Sequence, residues 1–419
     1  MIFAPPDLES ALRAAIGKMG SFFSVYLDDI ELDPEFELDS EDDVVVTSTS
    51  KLTLGYPRTE IDVSLSVEEF IDLPIEVADP RTTFDGLTYH SRQRTVVRMS
   101  SRGIRSLAFC ERMNDDESSN AKVIAEVAGH TASVSLRSVS PHFGALIVLK
   151  NFFFDKYNPP LTSDEVFVEV VHAQGATPEE ANAVIQAYLF ELQATLGLEF
   201  FEWPRPFDDD IEYPEDEDIG DLVERGRNLR PLLLGPGLAA VLSEFNSGHS
   251  DGNGEASLLA YVKCIEYVSA TVVREKQYED LRKRLLSRDA LSPNAEFMDG
   301  LLMLFEENRS FTRDAEALRL SVERCCDPTP MASHAPQFLR NLRNIGPTST
   351  SDQRKASMVE LASALSASRN QMAHAKANYR PTGKECPPEQ LAGLVACARI
   401  AAEQCIRWYA SRSAELRRS

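Results

Sequence analysis

The sequence predicts an α+β protein in two parts, a strand-rich N-terminal domain followed by an all-α helical bundle. Three observations predict it. Apolar residues recur at every second position in stretches of 20–172, they recur three and four apart from about residue 231 onward, and a dense run of like charge separates the two regimes.

The N-terminal part, taken as residues 1–205, reads as short strands. Ile61, Val63, Leu65 and Val67 alternate with polar residues, as do Val166, Val168 and Val170, so each run has one buried face. Shorter runs at 44–46 (VVV), 95–97 (TVV), 133–139 (SVSLRSV) and 145–149 (ALIVL) read as further strands. Asp33-Pro34, Asp79-Pro80, Asp85-Gly86 and Asn158-Pro159-Pro160 punctuate them. Pro178-Glu179-Glu180 then opens a helix through about Leu196, with Thr177 placed to cap it.

The stretch FDDDIEYPEDEDIGD (207–221) is the clearest linker, and residues 206–230 are assigned to it. Its packed like charges and central proline cannot build a core. Its carboxylates follow no calcium-loop spacing, so they read as solvated.

From residue 231 to 419 every strong pattern is helical. Leu258, Val262, Ile265, Ser269 and Val272 form one stripe of a long helix running past Leu285, and Phe311, Ala315, Leu318, Val322 and Cys325 form another. The last helix is the most regular: Leu391, Val395, Ala398, Ala402, Cys405 and Tyr409 follow at four and three, behind Pro387-Pro388 and with Glu389 in its first turn. Amphipathic helices of this length bury their stripes most simply against one another. The run LLMLF (301–305), Met303 included, and the thiols of Cys264, Cys397 and Cys405 read as core.

Composition excludes several function classes. At 419 residues, with 43% hydrophobic and 26% charged residues, the chain is folded, and longer than one ordinary core. No uninterrupted apolar run approaches the roughly eighteen residues of a membrane span, so no membrane is expected. The nearest run, Pro231 to Leu242, is broken by Gly235-Pro236-Gly237. The opening MIFAPPDLES lacks a basic segment followed by an apolar one, so the expectation is a cytoplasmic protein without an export signal. Seven cysteines, with Cys325 and Cys326 adjacent and no Cys-x-x-Cys pair, argue against a zinc knuckle or a disulfide framework. No cofactor is expected.

The net charge of −23 is unevenly spread. Residues 1–250 hold 19 Lys/Arg against 45 Asp/Glu, residues 251–419 hold 24 against 21, and the last 69 residues hold 11 against 6. The basic tip of the closing helix, with Arg407, Arg412, Arg417 and Arg418, can hold phosphate although the whole chain is acidic, because screening limits distant charge to about 8–10 Å.

The constellation that carries chemistry lies late in a helix that begins near Ser351. Met358, Leu361, Leu365 and Met372 form its apolar stripe, and Arg369 falls on that same stripe, an odd place for a permanent cation. His374 lies one turn beyond Asn370, so the two share an edge. Arg-x4-His alone is a weak signal, since Arg137 and His142 repeat it in the strand-rich part with Pro141 between them. The form Arg-Asn-x-x-x-His is narrower, and four Arg-Asn pairs with seven histidines give a chance expectation below about 0.1.

RNQMAH (369–374), late in a bundle helix and followed by Pro381, the Pro-Pro start and one last long helix, resembles the HEPN superfamily, its Apea-like branch above all. LLAYVKCIEYVS (258–269), with Glu266 among apolar neighbours, is similar to the opening helix of such domains. The resemblance covers roughly 250–415. It departs at Lys376, where the HEPN toxins paired with nucleotidyltransferases carry a tyrosine. Tyr379 comes three residues later.

What the resemblance implies is a metal-independent endoribonuclease, with Arg369, Asn370 and His374 catalytic and Lys376, Arg380 and Lys384 gripping RNA. It implies a homodimer through the bundle, leaving 2′,3′-cyclic phosphate ends. The branch is associated with anti-phage defence, which makes the N-terminal domain a sensor or brake for a regulatory protein or phage-derived trigger. Glu266 reads as a structural partner for a bundle cation, with support of catalysis as its other reading. Two other classes stay open: a non-catalytic RNA- or protein-binding module, and a dimerisation bundle for a functional N-terminal domain.

Overall fold

The computed structural model describes residues 2–19, 22–27, 30–33, 45–57, 62–114, 121–127, 129–137, 140–150, 160–161, 165–172, 175–202, 216–248, 254–310, 314–373 and 380–417. The protein is α+β and divides into two compact units, Met1–Leu232 and Leu233–Ser419.

The first unit runs β1 (Ile2–Ala4), α1 (Asp7–Met19), β2 (Ser24–Leu27), β3 (Ile30–Glu31), β4 (Val45–Thr47), β5 (Lys51–Gly55), β6 (Asp62–Ser66), α2 (Val67–Ala78), β7 (Thr83–Phe84), β8 (Thr88–His90) and β9 (Arg94–Arg102). There follow α3 (Gly103–Asn114), β10 (Val123–Val127), β11 (His130–Arg137), α4 (Pro141–Leu149), β12 (Glu165–His172), α5 (Pro178–Glu191), β13 (Glu199–Glu202) and α6 (Asp216–Gly226). A seven-stranded antiparallel sheet in the order β10-β11-β12-β9-β8-β7, with β13 also on β9, lies beside a four-stranded sheet β3-β2-β5-β6. Along β12 all residues but Val171 are buried, because the sheet is covered on both faces. Val166, Val168 and Val170 share one face, while Phe167 enters the core built by α1, α2, α4 and the smaller sheet.

Four expectations change here. ALIVL is not a strand. It completes α4, where Ser140 accepts from the Phe143 amide, Pro141 fills the first turn and nearly every residue is buried, so the run carries no period to tell helix from strand. Val67 opens α2 rather than ending a strand, because Ser66 and Glu69 close a reciprocal capping box. α3 is a further helix inside the strand-rich span. The acidic stretch is helical from Asp216 as α6, which packs on α3, and 203–215 lie outside the described residues. The Thr177 capping box opens α5 as expected, and a π turn carries the helix on to Leu196.

The described part of the second unit is all helical: α7 (Leu238–Ser247), α8 (Gly254–Leu285), α9 (Ala295–Ser310), α10 (Asp314–Cys325), α11 (Thr329–Ala332), α12 (Arg340–Arg343), α13 (Ser351–Ala373) and α14 (Leu391–Ala410). α8, α10, α13 and α14 pack together around Leu258, Val262, Ile265, Val272, Leu318, Val322, Leu361, Leu365 and Ala402, each essentially inaccessible to solvent. Each large apolar side chain so buried contributes about 1.5–3 kcal/mol. α8 holds an 18-residue window of mean hydropathy 1.4, long and apolar enough to cross a membrane by length and composition, and 56% of that window is buried in the bundle. No uninterrupted apolar run marks it in the sequence, since Lys263 and Glu266 punctuate the stretch.

The stripe on α10 is Ala317, Leu318, Ser321 and Val322. Ala315 is exposed, and Phe311 lies outside the described residues. LLMLF is not core throughout: Leu302 and Met303 are exposed. The thiols of Cys264, Cys397 and Cys405 are buried and unoxidised, and burial pushes Cys397 up to about 12.

Candidate functional site

α13 sets Met358, Leu361, Ala362 and Leu365 into the bundle, and Arg369 continues that row one turn after Leu365. A cation is tolerated there because α8 supplies its counter-charge. Arg369 Nη2 donates to Glu266 Oε2 at 3.3 Å, and Nη1 donates to Asn370 Oδ1 at 3.0 Å. The side chains of Arg369 and Glu266 are 30% and 27% exposed. Burial raises the Glu266 carboxyl above its ordinary range, Arg369 pulls it back, and Asp314 at the start of α10 pushes it up again. Among the described residues two of the five guanidinium N–H donors are engaged. The arrangement is a half-open cation anchored from below by a carboxylate and an amide oxygen, able to accept an anion from the solvent side.

Of the other expected site residues, His374 and Lys376 lie outside the described residues, as does Tyr379. Arg380 and Lys384 are exposed. Lys384 sits after a tight turn in which Glu385 accepts from the Thr382 amide at 2.6 Å and the Gly383 amide at 2.8 Å, and Gly383 takes a positive φ of 79°. It lines a groove of about 660 Å³ with Phe338, Asn341, Lys355, Val359 and Ser363. That groove follows a different face of α13. Ser363 and Arg369 are about 120° apart around the helix by its 3.6-residue period, so Lys384 and Arg369 do not share one surface of it.

The expected basic tip is largely spent on structure. Arg407 pairs with Glu403 at 3.0 Å, Arg412 pairs with Glu275 at 3.3 Å and lies over the Trp408 ring, and Arg417 donates to the Pro236 carbonyl. Arg418 lies outside the described residues.

The first unit holds a charge cluster that the sequence reading missed. Arg94 bridges Glu76 of α2 at 3.1 Å and Glu169 of β12 at 3.0 Å, and all three are buried. Arg137 pairs with Glu169 at 2.5 Å and stands 3.9 Å from Glu69, Arg98 pairs with Glu165, and the Tyr89 hydroxyl donates to Glu76. His142, 2% exposed, has no hydrogen bond to Nε2 among the described residues, and that atom lies 3.9 Å from Glu76 Oε2. Burial, with Arg94 and Arg137 beside it, holds His142 well below its ordinary pKa and therefore neutral. Arg137 and His142, dismissed as a spaced pair, thus both join this network. The signal was present as glutamates four apart on β12 and arginines four apart on β9, but only the register of Phe167 on Arg98 makes them neighbours. His90 and His172 also find partners, in Thr95 and the Ala176 amide.

What fold and site together define is an α+β protein with a half-buried Arg–Glu pair in its helical unit and a buried ionic network in its strand-rich one. Comparison with protein-family models, with curated proteins and with solved structures finds no match in any of the three.

Proposed function

We propose that the protein is a metal-independent RNA endonuclease of HEPN type, acting through Arg369, Asn370 and His374. The observation that carries this reading is Arg369 itself, a cation held by Glu266 and Asn370 yet 30% exposed, five residues before a histidine. A fixed guanidinium in a partly desolvated setting stabilises the charge that builds on a scissile phosphate far better than a free one in water.

On this reading the neutral His374 imidazole removes the ribose 2′-OH proton. The 2′-oxygen attacks phosphorus, the bond to the 5′-oxygen breaks, and an imidazolium returns a proton to that leaving oxygen. The products are a 2′,3′-cyclic phosphate and a 5′-hydroxyl, with neither metal nor water consumed. Lys376 and Arg380 hold the neighbouring backbone, and Lys384 meets the strand further along. Two copies bring their motifs together, and the acidic first unit restrains the activity until a regulatory protein or phage-derived trigger engages it.

The test is cleavage of RNA in EDTA by the wild-type protein and by His374→Ala, with product ends identified by mass. Cyclic phosphate ends from the wild type that vanish in the variant support the proposal. Equal cleavage by both proteins sinks it.

A further inference from the structure

The second half of α8 leaves the core. Its buried residues run from Leu258 to Val273, while the helix continues to Leu285, about 18 Å further at 1.5 Å per residue. Arg324 of α10 grips the first turns beyond the core through Glu275 and Glu279. α9 then folds back alongside, fixed by buried Phe297 with the Arg284 guanidinium 4.9 Å above its ring. On this arm Leu285, Leu286, Leu291, Met298, Leu302 and Met303 are between 52% and 89% exposed. Six large apolar side chains so exposed within residues 285–303 are more than the single scattered exposures ordinary on a monomer's surface.

We infer that the α8–α9 arm is a self-association surface whose occupant is a second copy of this chain, packed arm against arm about a two-fold axis. The charge pattern selects that occupant. Arg282 and Lys283 close α8, Glu296 and Asp299 open α9, and all four are exposed, with Lys283 also acting on Glu279 one turn back. A two-fold sets the basic end of one α8 against the acidic start of the other α9, and makes the same contact again in reverse. A surface of one sign would repel its own copy. Glu266, which holds Arg369, lies 19 residues before Leu285, about 28 Å along the helix. The arm is therefore separate from the Arg369 site, and the inference stands whether or not that site cleaves RNA.

The experiment is the mass of the full chain by light scattering and sedimentation over a wide concentration range. The wild type is compared with Leu286→Glu/Leu302→Glu and with His374→Ala. Both leucines are exposed, so the double variant keeps the wild-type thermal unfolding curve, which serves as its folding control. The expected result is a wild type that associates, a double variant of half its mass or dissociating at least tenfold more readily, and His374→Ala at the wild-type mass. Arg282→Glu/Lys283→Glu weakens association, and adding Glu296→Lys/Asp299→Lys restores it. A wild type that is monomeric throughout, or a folded double variant of unchanged mass, overturns the inference.

Discussion

Arg369 of α13 and Glu266 of α8 are 103 residues apart in sequence and 3.3 Å apart in space, and this contact ties the cation to the first long helix of the bundle. Both side chains keep a quarter or more of their surface in water, so the pair contributes less than about 1 kcal/mol to stability. Its value is positional. Arg369→Ala is expected to lower RNA cleavage by about 10²–10³-fold while moving the unfolding midpoint little. Arg369→Lys keeps the charge without the planar fork and recovers only part of the rate. Single-turnover cleavage and urea unfolding on the same preparations separate the two effects. A loss of activity that tracked a loss of fold would show the residue to be structural only.

The Arg94 bridge is of another kind, because Arg94, Glu76 and Glu169 are all buried. Arg94→Met leaves Glu76 in the core without its counter-charge and Glu169 with Arg137 alone, and the expected cost is about 3–5 kcal/mol. Adding Glu76→Gln and Glu169→Gln removes the uncompensated charge and recovers most of it. Urea midpoints of the single and triple variants check this. A triple variant no more stable than the single one would place the loss in packing rather than charge.

The strand pattern of Val166, Val168 and Val170, the Thr177-Pro178 helix start and the α8 stripe of Leu258, Val262, Ile265 and Val272 were legible, because each depends on a local period or a local cap, whereas of the expected α10 stripe only Leu318 and Val322 are buried among the described residues. α4 was not, since a helix buried on all sides has no polar face to reveal its turn. α2 was legible in principle through Ser66 and Glu69, but the alternation of Val63 and Leu65 runs straight into it. At the site, Arg369 on an apolar stripe was readable from spacing alone and Glu266 as the partner of a bundle cation, but that the cation is Arg369 follows only from how α8 packs on α13. The Arg94 network was not readable, because it depends on how six separate elements (α2, β8, β9, β11, α4 and β12) dock.

His142 makes acid stability a reporter of that network. The unfolded imidazole takes up a proton near pH 6.5, whereas the folded one is held neutral to well below that by burial and by Arg94 and Arg137. Below about pH 6.5 the unfolded state binds the extra proton, so stability falls as pH falls, by up to about 1.4 kcal/mol per unit. His90 and His172, also lowered by burial, add to the slope. The groups facing His142 are Glu76, Arg94 and Arg137, with Tyr89 bonded to Glu76. His142→Gln is expected to have a shallower loss between pH 6.5 and 5 in urea titrations. A His142→Gln slope no shallower than that of the wild type would mean that the folded imidazole, 3.9 Å from Glu76, takes up the proton as readily as the unfolded one.

Gly237 marks where α7 is pinned to the closing helix. Its φ of 78° is open to glycine at little cost, and a Cβ there would fall inside contact distance of the Tyr409 hydroxyl. The Tyr267 hydroxyl donates to the Gly237 carbonyl at 2.9 Å, so the backbone has little room to move away. Gly237→Ala therefore combines a left-handed backbone with an overpacked contact, and a loss of about 1–3 kcal/mol is expected from packing alone. Tyr409→Phe deletes the clashing oxygen and leaves the buried ring. In the double variant the steric part of the penalty disappears and the conformational part remains, giving a coupling energy of about 0.5–3 kcal/mol. Urea unfolding of the four proteins of the cycle measures it. Additive losses would mean that the backbone conformation, rather than the Tyr409 contact, is what requires glycine.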